Sequence, residues 1–131
     1  RQKMSKVVLD SSALIALIKN EKGAEVVEPL LGRIVMSAIN IAEVAGILID
    51  LGMSIEECKN SIEPFVDLIV PLDLQQVFEI ALLKKLTKDK GLSIGDRACI
   101  ALGTAMNLPI YTADKIWQSL NLKDADIVLI R

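Results

Sequence analysis

At 131 residues, 52% of them hydrophobic and 24% charged, the chain has material for one soluble domain with a real core and too little for a comfortable second. It contains no histidine, which excludes Ser-His-Asp and Cys-His nucleophilic chemistry, imidazole acid–base catalysis and the usual zinc sites together. A net charge of −2 is not that of a dedicated nucleic-acid binder, so any phosphate-binding surface has to be local.

Arg1, Gln2 and Lys3 precede Met4 and are set aside as a remnant foreign to the fold, which leaves a single domain over residues 4–131. Lys6 to Asp10 reads as a buried strand, and Ser11 to Lys19 as a serine-capped helix. A second helix is expected over Gly23 to Leu31, and a strand over Arg33 to Ser37. Residues 38–51 form a long, mostly apolar helix ended by Gly52. Ser54 to Phe65 follows as an amphipathic helix, with Ser54 and Glu57 spaced as a capping box. Asp67 to Val70 is a short strand, Asp73 to Lys88 a helix closed by Gly91, and Ser93 to Asn107 another helix. Pro109 to Thr112 is a strand, Asp114 to Leu120 a short helix, and Ile127 to Ile130 the last strand. Nearly all-apolar strands alternating with helices predict an α/β fold, a three-layer α/β/α sandwich around a central, mainly parallel sheet.

No apolar run reaches the roughly 18 residues of a membrane span, and residues 4–10 enter a strand too quickly for a signal peptide. Cys58 and Cys99 are far apart, fit no metal-binding spacing and fall in apolar helical patterns. They read as reduced, buried thiols, and the cytoplasm as the compartment.

Ligands of parallel sheets bind outside the carboxyl ends of the strands. Asp10 ends the first strand and Asp114 lies just beyond Thr112, so topology alone puts both acids on that edge. Each has a plainer alternative: Asp10 and Asp114 as helix N-caps, Asp96 as the partner of Ser93 in an S-x-x-D capping arrangement. Glu43 differs, because it sits mid-helix among Ile39, Ile41, Ala42, Val44, Ala45, Ile47 and Leu48. An ionised carboxylate buried there costs several kcal/mol unless it is paired or bound to a cation. No Lys or Arg stands within a turn or two of it, although Asn40, one turn earlier, can hydrogen-bond it. The alternative for Glu43 is a narrow exposed stripe with Asn40 and Asp50.

With no histidine, a metal here has to be held by oxygen, which favours Mg²⁺, Mn²⁺ or Ca²⁺. Carboxylates gathered at close range repel one another, and a divalent ion reverses that penalty. Two such ions can activate water and stabilise the leaving oxygen of an in-line phosphodiester displacement. For the polyanion, the candidate contact surface is the run Lys84, Lys85, Lys88 and Lys90, with Arg97 and Lys115 and, further off, Lys19 and Lys22. The alternative for the lysine run is a solvated helix end whose cations complement the dipole.

The segments VVLDSSALIAL, INIAEV, LSIGDRACIALG and LPIYTADKIW, in this order and at this spacing, resemble the PIN-domain nucleases, and especially the VapC toxins of bacterial toxin–antitoxin pairs. The resemblance covers nearly the whole chain, to the closing IVLIR. It implies that Asp10, Glu43, Asp96 and Asp114 form a metal-binding catalytic site for Mg²⁺ or Mn²⁺, supported by Ser12 in the D-x-S-A turn and by Thr112. It further implies endoribonuclease activity through metal-activated water, leaving a 5′-phosphate and a 3′-hydroxyl, together with a homodimer and a small VapB-type antitoxin covering the groove. With Phe65, Phe78, Tyr111 and Trp117 as the only aromatics, a broad base-stacking platform is not expected, and Trp117 reads as packing against its own short helix. Recognition would then rest on phosphate contacts and RNA shape.

Two rival readings come from other classes. A phosphoryl-accepting receiver domain has similar size and an acid at the first strand end, but needs two adjacent acids there and a lysine near the last strand, and leaves Glu43 and Asp96 unexplained. A catalytically silent interaction module would use the apolar helix over 38–51 as a partner surface, and the intact acids argue against it. Neither G-x-x-x-x-G-K-[ST] nor G-x-G-x-x-G occurs, so a phosphate loop is absent.

Overall fold

Five short runs of aliphatic residues supply the strands of a parallel sheet: β1 (Val7–Leu9), β2 (Ile34–Ser37), β3 (Leu68–Val70), β4 (Ile110–Thr112) and β5 (Ile127–Leu129). The structure is a computed structural model describing residues 5–131, so the expected remnant at residues 1–3 lies outside the described residues. Strand order is β3-β2-β1-β4-β5, every pairing parallel. The chain builds outward from β1 through β2 to β3, then returns to place β4 on the other flank of β1. The gap between β1 and β4 is therefore the topological switch point, where open α/β sheets leave a crevice at the strand ends.

Alternation along the strands explains why helices cover both faces. Val7, Leu9, Ile34 and Met36 point to one side, into a core shared with helices α1 (Ser11–Lys19), α2 (Ala24–Val27), α3 (Ala38–Asp50) and α4 (Ile55–Ile62). Val8, Val35 and Ile110 point to the other and meet Cys99, Ile100 and Leu102 of α6 (Ile94–Met106), along with the fully buried Trp117. Helix α5 (Leu74–Leu86) packs on α6 through Ile80, Ala98 and Ala101. The result is the expected three-layer sandwich, with a sheet that is entirely parallel. Cys58 and Cys99 are both buried and free. No helix among the described residues is long and apolar enough to cross a membrane.

The differences from expectation have local causes. Two helices are shorter than predicted, giving way to 3-10 turns at Glu28–Leu30 and Glu63–Phe65, because Pro29 and Pro64 have no N–H for the next α-helical bond. The last predicted helix is a 3-10 turn over Lys115–Ser119, and α5 ends at Leu86 with a further 3-10 turn at Lys88–Lys90. At the start of α1 the cap is Asp10, not a serine: its carboxylate accepts from Ala13 N.

One close approach sets the distance of α6 from the sheet. A Cβ built on Gly103 would run into the side chain of Ile110, which is fully buried on β4. Gly46 of α3, by contrast, faces open space. Gly103→Val should therefore destabilise the fold by about 1–3 kcal/mol through overpacking, while Gly46→Ala should stabilise it by about 0.5–1 kcal/mol through helix propensity. Urea unfolding of the two variants beside the wild type checks both signs.

Candidate active site

The four acids named from sequence line one surface hollow of about 350 Å³, together with Ser11, Ser12, Glu21 and Arg131. Each arrives on a different element: Asp10 at the end of β1, Glu43 from the middle of α3, Asp96 from the first turn of α6, and Asp114 just beyond β4. The hollow thus opens at the β1/β4 switch point. A larger hollow, about 510 Å³, lies between α5, α6 and residues 121–124, but its walls are mainly aliphatic, from Leu82, Leu83, Leu86, Ile100 and Leu122. Nothing in it converges as the acids do.

Asp10 is the buried member, 4% exposed. Its Oδ1 accepts from Ala13 N at 2.9 Å and its Oδ2 from Thr112 Oγ1 at 2.5 Å, while Ser12 Oγ lies within 2.9 Å of both oxygens. The two hydroxyls are themselves fixed: Ser12 Oγ accepts from Ala113 N, and Thr112 Oγ1 from Asp114 N. Ser12 and Thr112 therefore tie α1 to the turn after β4 through one carboxylate. Burial pushes Asp10 up to about 6; the hydrogen bonds from Thr112, Ser12 and Ala13 pull the other way, and the charge of Asp96 adds to the rise.

Glu43 is half-buried rather than enclosed, since α3 also exposes Ile47 and Ile49 on its outer side. Its Oε1 accepts from Ser11 Oγ at 2.5 Å and from Asn40 Nδ2 at 2.9 Å. Asn40 is fully buried and donates again to Gly95 O at 3.0 Å, joining α3 to the first turn of α6. Its Oδ1 is buried without a partner, a penalty of about 1–3 kcal/mol, carried by a residue whose donors hold Glu43 in place. Gly95 is the complement: a Cβ there would collide with the Glu43 carboxylate. Ser11 and Gly95 were not singled out from sequence, although Gly95 lies within the L-S-I-G-D-R segment.

Asp96 and Asp114 turn out to be caps and members of the cluster at once. Asp96 forms a capping box with Ser93, and Asp114 Oδ1 accepts from Ile116 N at 3.1 Å. Burial raises the Asp96 carboxyl, its bonds with Ser93 lower it, and the charges of Glu43 and Asp114 raise it further. Cys99 is pushed well up by burial and then by the charges of Asp10, Asp96 and Glu43, so its thiol is inert.

Of the predicted RNA-contact cations, Lys84, Lys85, Lys88 and Lys115 are exposed and Lys90 partly so. None of them, and not Arg97, lines the hollow. Arg97 Nη1 donates to Ile80 O at 2.8 Å and its Nε is buried, so the guanidinium is engaged in joining α6 to α5. Trp117 is enclosed in the core, away from any base.

The donor set is all oxygen and almost unneutralised, which is the chemistry that suits Mg²⁺ or Mn²⁺. Among the described residues no three acidic or thiol side chains are already drawn together as a coordination shell. The carboxylates stand around the hollow instead of closing on a point. Their raised protonation affinities at Asp10 and Asp96 are what a cation would reverse.

That cost is readable in the metal-free protein. The folded Asp10 holds its proton up to about pH 6, against an ordinary value of 3.8. The folded state thus binds more protons than the unfolded one between those values, and stability falls as pH rises from about 4 to 6, by up to about 3 kcal/mol. The rise at Asp96 acts in the same direction. Urea melts in EDTA at pH 4.5 and pH 7 should show the loss, and Asp10→Asn should flatten it.

The chain matches the family model described as the PIN domain over residues 7–122; that family is in general one of nucleases that depend on divalent metal. No curated protein sequence matches. Among solved structures, the chain is similar to one from the DNA-bound VapBC of Salmonella typhimurium, at 18% identity and a TM-score of 0.74 over 98% of this chain and 100% of that one. It is also similar to VapBC-1 of nontypeable Haemophilus influenzae, at 22% identity and a TM-score of 0.69, covering 95% and 97% of the two chains. VapBC-5 of Mycobacterium tuberculosis, a member of the VapBC family of toxin–antitoxin systems, gives 21% identity and a TM-score of 0.64 over 98% and 99%. At these identities the structural likeness speaks for the fold. With the family model covering most of its length, the chain belongs to the PIN-domain family.

Proposed function

We propose that the protein is an Mg²⁺- or Mn²⁺-dependent endoribonuclease of the VapC type, the toxin of a toxin–antitoxin pair acting in the cytoplasm. The observation that carries this reading is the convergence of Asp10, Glu43, Asp96 and Asp114 on one hollow at the β1/β4 switch point, in a chain without histidine. Oxygen ligands and water are then the chemistry left for breaking a phosphodiester.

In this reading all four acids hold the metal, which when bound supplies an activated water and neutralises charge on the leaving oxygen. The chain's own residues do the positioning. Ser12 and Thr112 keep Asp10 oriented, Ser11 and Asn40 keep Glu43 oriented, and Ser93 and the backbone of Ile116 fix one oxygen each of Asp96 and Asp114. The products are a 5′-phosphate and a 3′-hydroxyl.

The VapBC relatives, matched over nearly their full length, support a VapB-type antitoxin as partner. A second copy of the chain is supported by α5, where Leu74, Phe78, Leu82 and Leu86 repeat every four residues and are all more than half exposed. Mass measurement of the purified protein tests the dimer.

Asp10→Asn and Asp96→Asn should each lower RNA cleavage by at least about 100-fold while the proteins stay folded. Millimolar Mn²⁺ should raise the melting temperature of the wild type, because it binds the native state alone, and should do so less for either variant. A wild type whose melting and RNA cleavage ignore Mn²⁺ would overturn the metal-dependent reading.

The exposed lysines remain the candidate for longer-range RNA contact. Replacing Lys84, Lys85, Lys88 and Lys90 by alanine should lower the dependence of RNA affinity on salt, by a slope of up to about one per lysine in contact. An unchanged slope removes the patch from the interface.

A further inference from the structure

A bound metal offsets the charge of the four carboxylates at the reacting phosphate, and a cation at the wall of the hollow would hold a neighbouring phosphate of the same RNA strand. None of the cations proposed from sequence stands there; Arg131 does, beside Glu21.

The loop after α1 is shaped to meet Arg131. Asn20 ends the helix in a left-handed conformation, with φ at 55°, and Gly23 follows with φ at 101°. A Cβ on Gly23 would lie 2.8 Å from Ile130 Cγ1 and Cδ1 and 3.0 Å from Ile130 O. A glycine is thus required for this loop to rest on the segment after β5. There Lys22 O accepts from Arg131 Nη1 at 2.8 Å, and Glu21 Oε1 lies 3.4 Å from the same nitrogen. Lys19 Nζ takes the other oxygen of Glu21, at 3.5 Å. Among the described residues, the two ion pairs of the molecule both use Glu21.

The guanidinium is only partly engaged. Both of its bonds run through Nη1, and no acceptor for Nε or Nη2 is found among the described residues. Those two nitrogens form one edge of the planar fork, the edge that matches two oxygens of a phosphate. The side chain is about one-third exposed, open to an anion yet held in place.

We propose that Arg131 is a substrate-binding residue that grips a phosphate of the RNA strand beside the acid cluster through Nε and Nη2, with Glu21 as the internal carboxylate that holds the guanidinium at Nη1 and offsets part of its charge. The inference rests on the nuclease reading and adds to it a protein cation that anchors the strand beside the metal-binding acids. Glu21 and the incoming phosphate compete for one cation.

Competition gives the two residues opposite signs. Binding of a fluorescein-labelled pool of mixed-sequence RNA hairpins with single-stranded loops and tails is measured by anisotropy across a salt series, in Ca²⁺, together with each protein's melting temperature. Arg131→Gln should weaken binding on the order of tenfold and lower the salt slope by about one. Arg131→Lys should recover the slope but only part of the affinity, since it restores charge without the fork. Glu21→Gln should tighten binding. In Mg²⁺ or Mn²⁺, Arg131→Gln should raise KM more than it lowers kcat.

If Glu21→Gln and Arg131→Gln weaken binding together and melt earlier, the pair is a structural clasp and the proposal is overturned. It is also overturned if the wild type cleaves RNA while Arg131→Gln binds as tightly as the wild type. A wild type that neither binds nor cleaves the RNA overturns the nuclease reading, and this inference with it.

Discussion

One buried carboxylate organises this end of the sheet. Asp10 receives donors from α1, through Ala13 N and Ser12, and from the end of β4, through Thr112. The backbone on both sides supports the same knot, since Asp10 N donates to Tyr111 O and Ala113 N to Ser12 Oγ. The switch point between β1 and β4 would otherwise be an open seam where two strand ends diverge. Closing it with a charge-assisted network makes the seam rigid and leaves a carboxylate at its mouth. The same bonds that fix the fold set the position of the acid.

The other acids repeat this double use. A capping residue has to sit at a helix N-terminus, and in a parallel sheet with right-handed crossovers the helix N-termini gather at the carboxyl edge of the strands. Asp96 and Asp114 are thus drawn to the hollow by the requirement to satisfy orphan backbone N–H groups. Capping and cluster membership are not alternatives in this topology. A cap uses one carboxylate oxygen and leaves the other: Asp96 spends Oδ2 on Ser93 N, and Asp114 spends Oδ1 on Ile116 N. The helix positive end also offsets part of the mutual repulsion until a cation does so.

This is also why the sequence was legible to the depth it was. Strand and helix order followed from apolar periodicity, a local pattern read along the chain. Strand order then put Asp10 and Asp114 on one edge, Glu43 stood out against its apolar neighbours, and Asp96 came in with the family resemblance. Glu43 does line the hollow, but the reason that drew attention to it is only half true. The apolar run around it suggested enclosure, whereas α3 leaves Ile47, Ile49 and Leu51 exposed, and the deeply buried acid is Asp10. Periodicity says which residues share a face, not whether another element covers it. Ser11 and Gly95 escaped notice because their roles are defined across 32 and 52 residues of chain, against Glu43. Prolines 29 and 64 carried a readable signal, a missing N–H, that was outweighed by the helical pattern around them.

Charge shows the same limit from another direction. A run of four lysines at the end of α5 and in the turn after it is conspicuous in one dimension, while a single arginine at residue 131 is not. In three dimensions the lysines are absent from the walls of the acid hollow and Arg131 is on them. Linear clustering measures the local field of a helix end; proximity to the reacting centre depends on which strand ends next to which. With β5 paired to β4 and β4 to β1, the segment after β5 emerges on the same edge as Asp10 and Asp114, on the flank opposite β2. Any cation placed there faces the acids whatever its neighbours in sequence. The strand order that gathers the carboxylates therefore also brings Arg131 to their wall.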